Sequence, residues 1–163
     1  MTRSSGTEQR GEPGCVLVIG YGNTLRSDDA IGVRAAEAIA RRAIPGVCVD
    51  VVPQLLPEQA ESIARAERVI FVDARVNDRH RGVDVQRLTM NQLDPLASVD
   101  WSHRTSASVL LHLAKHLYGR QPKGWIVSIP AWDLSHGEAL SEPGSQALSQ
   151  AIERIAELIE ENG

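Results

Sequence analysis

Between Cys15 and Ala74 the chain alternates short apolar runs with stretches of helical period, and that alternation leaves few architectures open. Cys15 to Ile19 is apolar throughout and too short for a helix, so it reads as a strand buried on both faces. Ile31, Ala35, Ala38 and Ile39 follow at helical spacing. Val47 to Val52 reads as a second strand, Pro57 to Ala66 as a short helix with proline in its first turn, and Arg68 to Ala74 as a third strand ending on Asp73. Strands joined through helices pair in parallel, with right-handed crossovers that lay helices on both sheet faces.

The rest of the chain completes that plan. Val83 to Leu88 has strand composition but is reached through Arg75 to Gly82, too short for a helical crossover, so it is predicted to run antiparallel as an edge. An antiparallel strand finishes at the opposite rim, and Met90 to Ser102 must bring the chain back. At about 3.3 Å per extended residue this segment reaches roughly 40 Å, ample for strands of ordinary length. His103 then opens a helix over Arg104 to Tyr118, stopped by Gly119. Trp125 to Ile129 forms the fifth strand, Pro130 to Pro143 a loop, and Gln146 to Glu161 a helix whose Leu148, Ile152, Ile155, Leu158 and Ile159 make a core-facing stripe. The expected fold is a three-layer α/β sandwich: a five-stranded, mostly parallel sheet with one antiparallel edge strand, between helices. Residues 15–163 form one domain, preceded by a polar tail from Met1 to Gly14 that is expected to be disordered.

Charge and cysteine content narrow the function. With 17 Lys and Arg against 21 Asp and Glu, and no basic run, the chain lacks the surface that neutralises nucleic-acid phosphates. No apolar run approaches the length of a membrane span, and the tail has no apolar stretch of signal-peptide type, so a cytoplasmic location is expected. Cys15 and Cys48 each fall in a predicted strand, as small buried hydrophobes of a reducing compartment, not as nucleophiles.

Polar chemistry gathers at the carboxyl ends of the parallel strands, where open α/β sheets place their sites. Asp28 and Asp29 stand where the first strand passes into its helix, Asp73 ends the third strand, and His103 starts a helix at the same rim. Each has an ordinary reading. Acids in a first helical turn interact well with the dipole, and Ser27 or Asp28 can cap. Asp73 can accept bonds from loop N–H groups, although a carboxylate after four buried apolar residues is costly unless a cation or donors meet it. A helix N-terminus favours the neutral imidazole that metal binding requires. Together Asp29, Asp73 and His103 make a hard, open ligand set suited to Zn, Ni or Mn, with positions left for water or substrate.

The other histidines carry less. His112 and His116 have metal-pair spacing on a helix, but no Glu lies between them and both project away from Leu110, Leu113 and Leu117 into solvent. His136 lies in the rim loop and His80 in the antiparallel turn. Gly20-Tyr21-Gly22 invites comparison with a dinucleotide fingerprint, yet the next glycine comes ten residues later and no Lys-Ser/Thr pair follows, so the glycines read better as a tight strand exit with close backbone approach.

The order of these pieces resembles the maturation endopeptidases of NiFe hydrogenases. The similarity rests on Val18-Ile19-Gly20-Tyr21-Gly22-Asn23 with Asp28-Asp29-Ala30-Ile31-Gly32, then Gln54-Leu55-Leu56-Pro57-Glu58, Phe71-Val72-Asp73-Ala74, His103, and Pro130-Ala131 followed by Gly137-Glu138 and Leu140-Ser141. The resemblance implies a protease that removes a C-terminal extension from the hydrogenase large-subunit precursor once nickel has been inserted. It implies metal-binding and catalytic roles for Asp29, where many relatives have Glu, for Asp73 and for His103. It implies a monomer whose partner is the precursor and whose metal is the precursor's nickel, with a resident divalent ion left open. Two further readings stand beside it: a non-catalytic chaperone for the large subunit, and a nucleotide- or flavin-binding module.

Overall fold

The computed structural model describes residues 13–76, 82–89 and 106–161. Five strands form one sheet in the order β2-β1-β3-β5-β4, where β1 is Val16–Tyr21, β2 Val47–Val52, β3 Arg68–Val76, β4 Asp84–Leu88 and β5 Lys123–Ala131. The first three strands and β5 are mutually parallel, and β4 runs antiparallel against β5 at one edge. This is the sheet expected from the sequence, because apolar runs separated by helices can pair only in this sense. The expected polar tail and the return segment from Met90 to Ser102 lie outside the described residues, except for Pro13 and Gly14.

Side-chain alternation along the strands divides the interior into two cores. Leu17, Ile19 and Tyr21 of β1, with Val69 and Phe71 of β3, pack against α2 (Gln59–Arg65) and α3 (Ser106–Tyr118). Val16, Val18, Ile70, Val72, Val127 and Ile129 face the other way, onto α1 (Ile31–Arg41) and α4 (Glu142–Glu160). Strands lined with apolar residues on both faces thus become the middle layer of three. Cys15, immediately before β1, and Cys48 in β2 are both buried, as expected. Leu117 is 59% exposed and so does not join the α3 stripe expected for it; His116 on the same turn is exposed, and His112 is half-buried with Nδ1 3.0 Å from the Ser108 carbonyl.

Two elements run longer than their composition suggests. β5 begins at Lys123 and ends at Ala131 because it pairs with β3 along its whole length, from Arg68 opposite Lys123 to Val76 opposite Ala131. Pro130 is tolerated there because β4 pairs with β5 only as far as Ser128, leaving the Pro130 side without a ladder to break. α4 starts at Glu142, four residues earlier than expected, since the Ser141 hydroxyl accepts the Gly144 N–H at 3.0 Å and Pro143 occupies the first turn. The centre of its buried stripe is Ala147, Ala151, Ile155, Leu158 and Ile159, with Leu148 and Ile152 half-buried at the margin.

The far end of α4 is held by a buried cation. Arg68, 9% exposed, opens β3 and donates from Nη1 to the Leu158 carbonyl at 3.0 Å and to that of Glu161, and from Nη2 to the Ile159 carbonyl at 2.9 Å. These carbonyls have no partners within the helix, and a cation there also meets the negative end of the dipole. Arg68→Met keeps the stem and removes the donors, and is expected to lower the unfolding free energy by about 3 kcal/mol in urea titrations. A variant within about 0.5 kcal/mol of the parent would show that water replaces the guanidinium at no cost.

Candidate functional site at the carboxyl rim

β1 leaves the sheet through Gly22, whose φ of 146° belongs to glycine and whose hydrogens face the Asp29 carbonyl, where a Cβ would collide. The chain then makes a 3-10 turn, Ser27–Ala30, directly before α1. Asp29 lies half-buried on this turn, and its Oδ2 accepts the Asn23 N–H at 3.1 Å. Asp73 lies half-buried near the end of β3. Both carboxylates line a single groove of about 1010 Å³. Its apolar walls include Val52 at the end of β2, Leu55 and Leu56 after it, and Leu110 and Leu113 of α3, with Asn23, Arg26 and Gln54 as polar lining.

Asp28 does something else. The expectation was a helix cap, but neither the 3-10 turn nor α1 has a side-chain cap. The Asp28 side chain is instead fully buried and turned toward the segment joining β5 to α4. Oδ2 accepts the Trp132 N–H at 2.8 Å, the Asp133 N–H at 3.0 Å and the Ser141 hydroxyl at 2.7 Å, while Oδ1 accepts the Ser141 N–H at 2.9 Å. Burial on its own raises the Asp28 pKa, but the bonds from Ser141, Asp133 and Trp132 together outweigh it and leave the pKa below the ordinary carboxylate value.

Backbone bonds reinforce this joint. Ser27 N–H donates to Gly137 O at 2.8 Å, Asp28 N–H to Asp133 O at 2.8 Å, and Gly137 N–H to Leu25 O at 2.9 Å, while Arg26 and Gly137 form a parallel bridge. Ser27 itself is held at φ 46°, a left-handed conformation costing about 1 kcal/mol outside glycine, and its hydroxyl donates to Ser135 O at 2.9 Å. Such strain persists only where the surroundings fix it. The amides of residues 26 to 29 all donate to protein carbonyls, so this turn offers no cradle of free N–H groups to a phosphate, which weighs against the nucleotide reading.

Tyr21 lines the same groove as the two acids. It is the last residue of β1, is 5% exposed, and shares a sheet face and the groove with Asp73. Burial first, and then the negative charge of Asp73, hold its phenol far above the ordinary tyrosine value, so it is a neutral donor throughout the working range. The two groups interact electrostatically, yet the hydroxyl oxygen makes no well-formed hydrogen bond among the described residues.

Of the three residues proposed as ligands, Asp29 and Asp73 therefore come to one groove from positions 44 apart in sequence, and His103 lies outside the described residues. No cluster of three or more His, Cys, Asp or Glu is found among the described residues. Two carboxylates opening into one groove are oxygen donors that fit half of a hard-cation site, with water or a nitrogen donor needed to complete it. His80 lies outside the described residues, and His136 is exposed and does not line the groove. The reading from sequence missed the Asp28 joint and the Tyr21 hydroxyl. An acid immediately preceding the groove acid is the only local sign of the first, and nothing local signals the second.

No protein-family model matches the chain, and no curated protein matches it. Solved structures do. The hydrogenase maturating endopeptidase HybD from Escherichia coli superposes with a TM-score of 0.72 at 23% identity, over 91% of this chain and 94% of that one. The NiFe-hydrogenase maturation protease HybD from Thermococcus kodakarensis gives 0.68 at 20% identity, over 90% and 99%. HycI, a second such protease from Thermococcus kodakarensis, gives 0.65 at 23% identity, over 90% and 92%. What these proteins share with the chain at such identities is architecture: it has the fold of the hydrogenase maturation endopeptidases, along nearly its full length.

Proposed function

We propose that this chain is an endopeptidase that removes the C-terminal extension of a NiFe-hydrogenase large-subunit precursor after nickel has been inserted. The observation that carries the reading is the placing of Asp29 and Asp73 in one groove, whose mixed apolar and polar lining suits an extended peptide, on the fold of maturation endopeptidases. In the proposed reaction the precursor's nickel is part of the substrate, recognised by Asp29, Asp73 and His103, so that only the loaded precursor seats its scissile peptide beside the acids. A resident divalent ion, if the enzyme uses one, would be held by the same three residues and would supply Lewis-acid polarisation of the scissile carbonyl.

The chemistry assigned to the chain itself is hydrolysis. A groove carboxylate takes a proton from water, the water oxygen bonds to the scissile carbonyl carbon, the C–N bond breaks, and the proton passes to the departing amine. Asn23 holds Asp29 in place through its N–H. No helix among the described residues is long and apolar enough to cross a membrane, and we place the reaction in the cytoplasm, carried out by a monomer.

Mass spectrometry of precursor incubated with the chain, with and without nickel, tests the reading. The expected result is loss of the C-terminal extension from the nickel-loaded precursor alone, slowed by about 100-fold or more in Asp73→Asn and in His103→Ala. Parental rates in both variants would remove these residues from the reaction. Tight binding of precursor whose mass never changes would leave a chaperone in place of a protease.

A further inference from the structure

A buried phenol whose hydroxyl makes no well-formed hydrogen bond among the described residues carries a cost that phenylalanine would avoid. Tyr21 carries that cost at the last position of β1, inside the groove, where its ring packs in the core shared with α2 and α3 and its hydroxyl is sealed from solvent. Gly20 of β1 is in register with Val72 of β3, so Tyr21 and Asp73 are the next residues along two adjacent strands, and the alternation that puts Ile19 and Phe71 in one core puts these two on the same face. The Asp73 carboxylate is the charge that acts on the hydroxyl among the described residues.

We propose that Tyr21 is a positioning residue: its hydroxyl donates a hydrogen bond to the Asp73 carboxylate when that carboxylate engages a divalent cation, and so fixes the orientation in which Asp73 presents its oxygens. The idea rests on the reading of Asp73 as a cation ligand. Groups that hold ligands in this way are worth about 10- to 100-fold in metal affinity. Because the ring already fills its place in the core, the hydroxyl can be removed without removing packing.

The experiment is calorimetric titration of the purified full chain with Zn2+ alone, alongside thermal unfolding without metal. Tyr21→Phe is expected to weaken Zn2+ binding by about tenfold or more while leaving the unfolding midpoint equal to or above the parent's. Asp73→Asn is expected to abolish the binding. Parental affinity in Tyr21→Phe, with binding lost in Asp73→Asn, overturns the role of the hydroxyl and leaves the ligand reading intact. Binding unchanged in Asp73→Asn, or absent in the parent, overturns the ligand reading and the role of Tyr21 with it. A Tyr21→Phe chain whose midpoint falls together with its affinity also overturns the proposal, since the hydroxyl would then support the core and not the carboxylate.

Discussion

Asp28→Asn is expected to lower the unfolding free energy by about 3 kcal/mol, and Asp28→Ala by about 5 kcal/mol, in denaturant titrations at neutral pH. The carboxylate accepts four hydrogen bonds and meets no water. An amide in its place turns one acceptor into a donor that faces another donor, whichever way it is oriented, and alanine leaves all four donors unpaired. Acid should act on the same contact. Because the folded pKa of Asp28 is depressed, the stability it contributes is complete above the unfolded value of about 3.9 and is lost as pH falls through the folded value. The parent should therefore lose stability more steeply than Asp28→Asn below about pH 4. Equal stability of parent and Asp28→Asn at pH 7, with parallel acid limbs, would show that the four bonds count for nothing net.

Gly32→Ala is expected to cost about 3 kcal/mol or more, or to prevent folding, for a different reason. A methyl on Gly32 would stand 2.5 Å from the Val72 carbonyl oxygen and 2.8 Å from that of Tyr21, and both atoms belong to backbone that cannot turn aside. α1 would have to lift its first turn from β1 and β3, carrying with it the 3-10 turn that bears Asp29. Gly46→Ala is the control. Its φ of 75° is unfavourable to alanine, but nothing lies within 4 Å of the added carbon, so a loss of only about 1 kcal/mol is expected. Matching urea midpoints for the two variants would mean that the close approach at Gly32 sets no limit on the packing of α1.

The contrast between these residues explains how much of the protein can be read from its sequence. β1, β2 and β3 were legible because each is built on a β-branched or apolar stretch longer than a turn and shorter than a helix, and the reversal at β4 because Arg75 to Gly82 cannot hold a crossover. The ends of β5 and the start of α4 were not. Lys123, Gly124 and Pro130 have no strand preference and enter the ladder because β3 runs beside them. Glu142-Pro143-Gly144 looks like loop, yet Pro143 suits a first helical turn, and a Cβ at position 144 would crowd the Asp28 carboxylate, at 2.8 Å from its Cγ.

The site was legible in a narrower sense. Asp29 and Asp73 could be brought to one rim by topology alone, since one follows β1 and the other lies in the second half of β3, and these strands are parallel. Asp28 looked like a cap because its neighbours in sequence allowed nothing else, whereas its partners lie 104 to 113 residues further on. Tyr21 looked like one of the residues between two glycines. Its importance depends on a strand-to-strand register that periodicity does not reveal.

The fastening of the Asp29 turn to the segment between β5 and α4 also orders events in time. During synthesis the acids of β1's exit emerge long before the groups that clamp them, and β5 must slot in beside β3 before Trp132, Asp133 and Ser141 can arrive. The turn that bears Asp29 thus gains its clamp only when the segment after β5 docks.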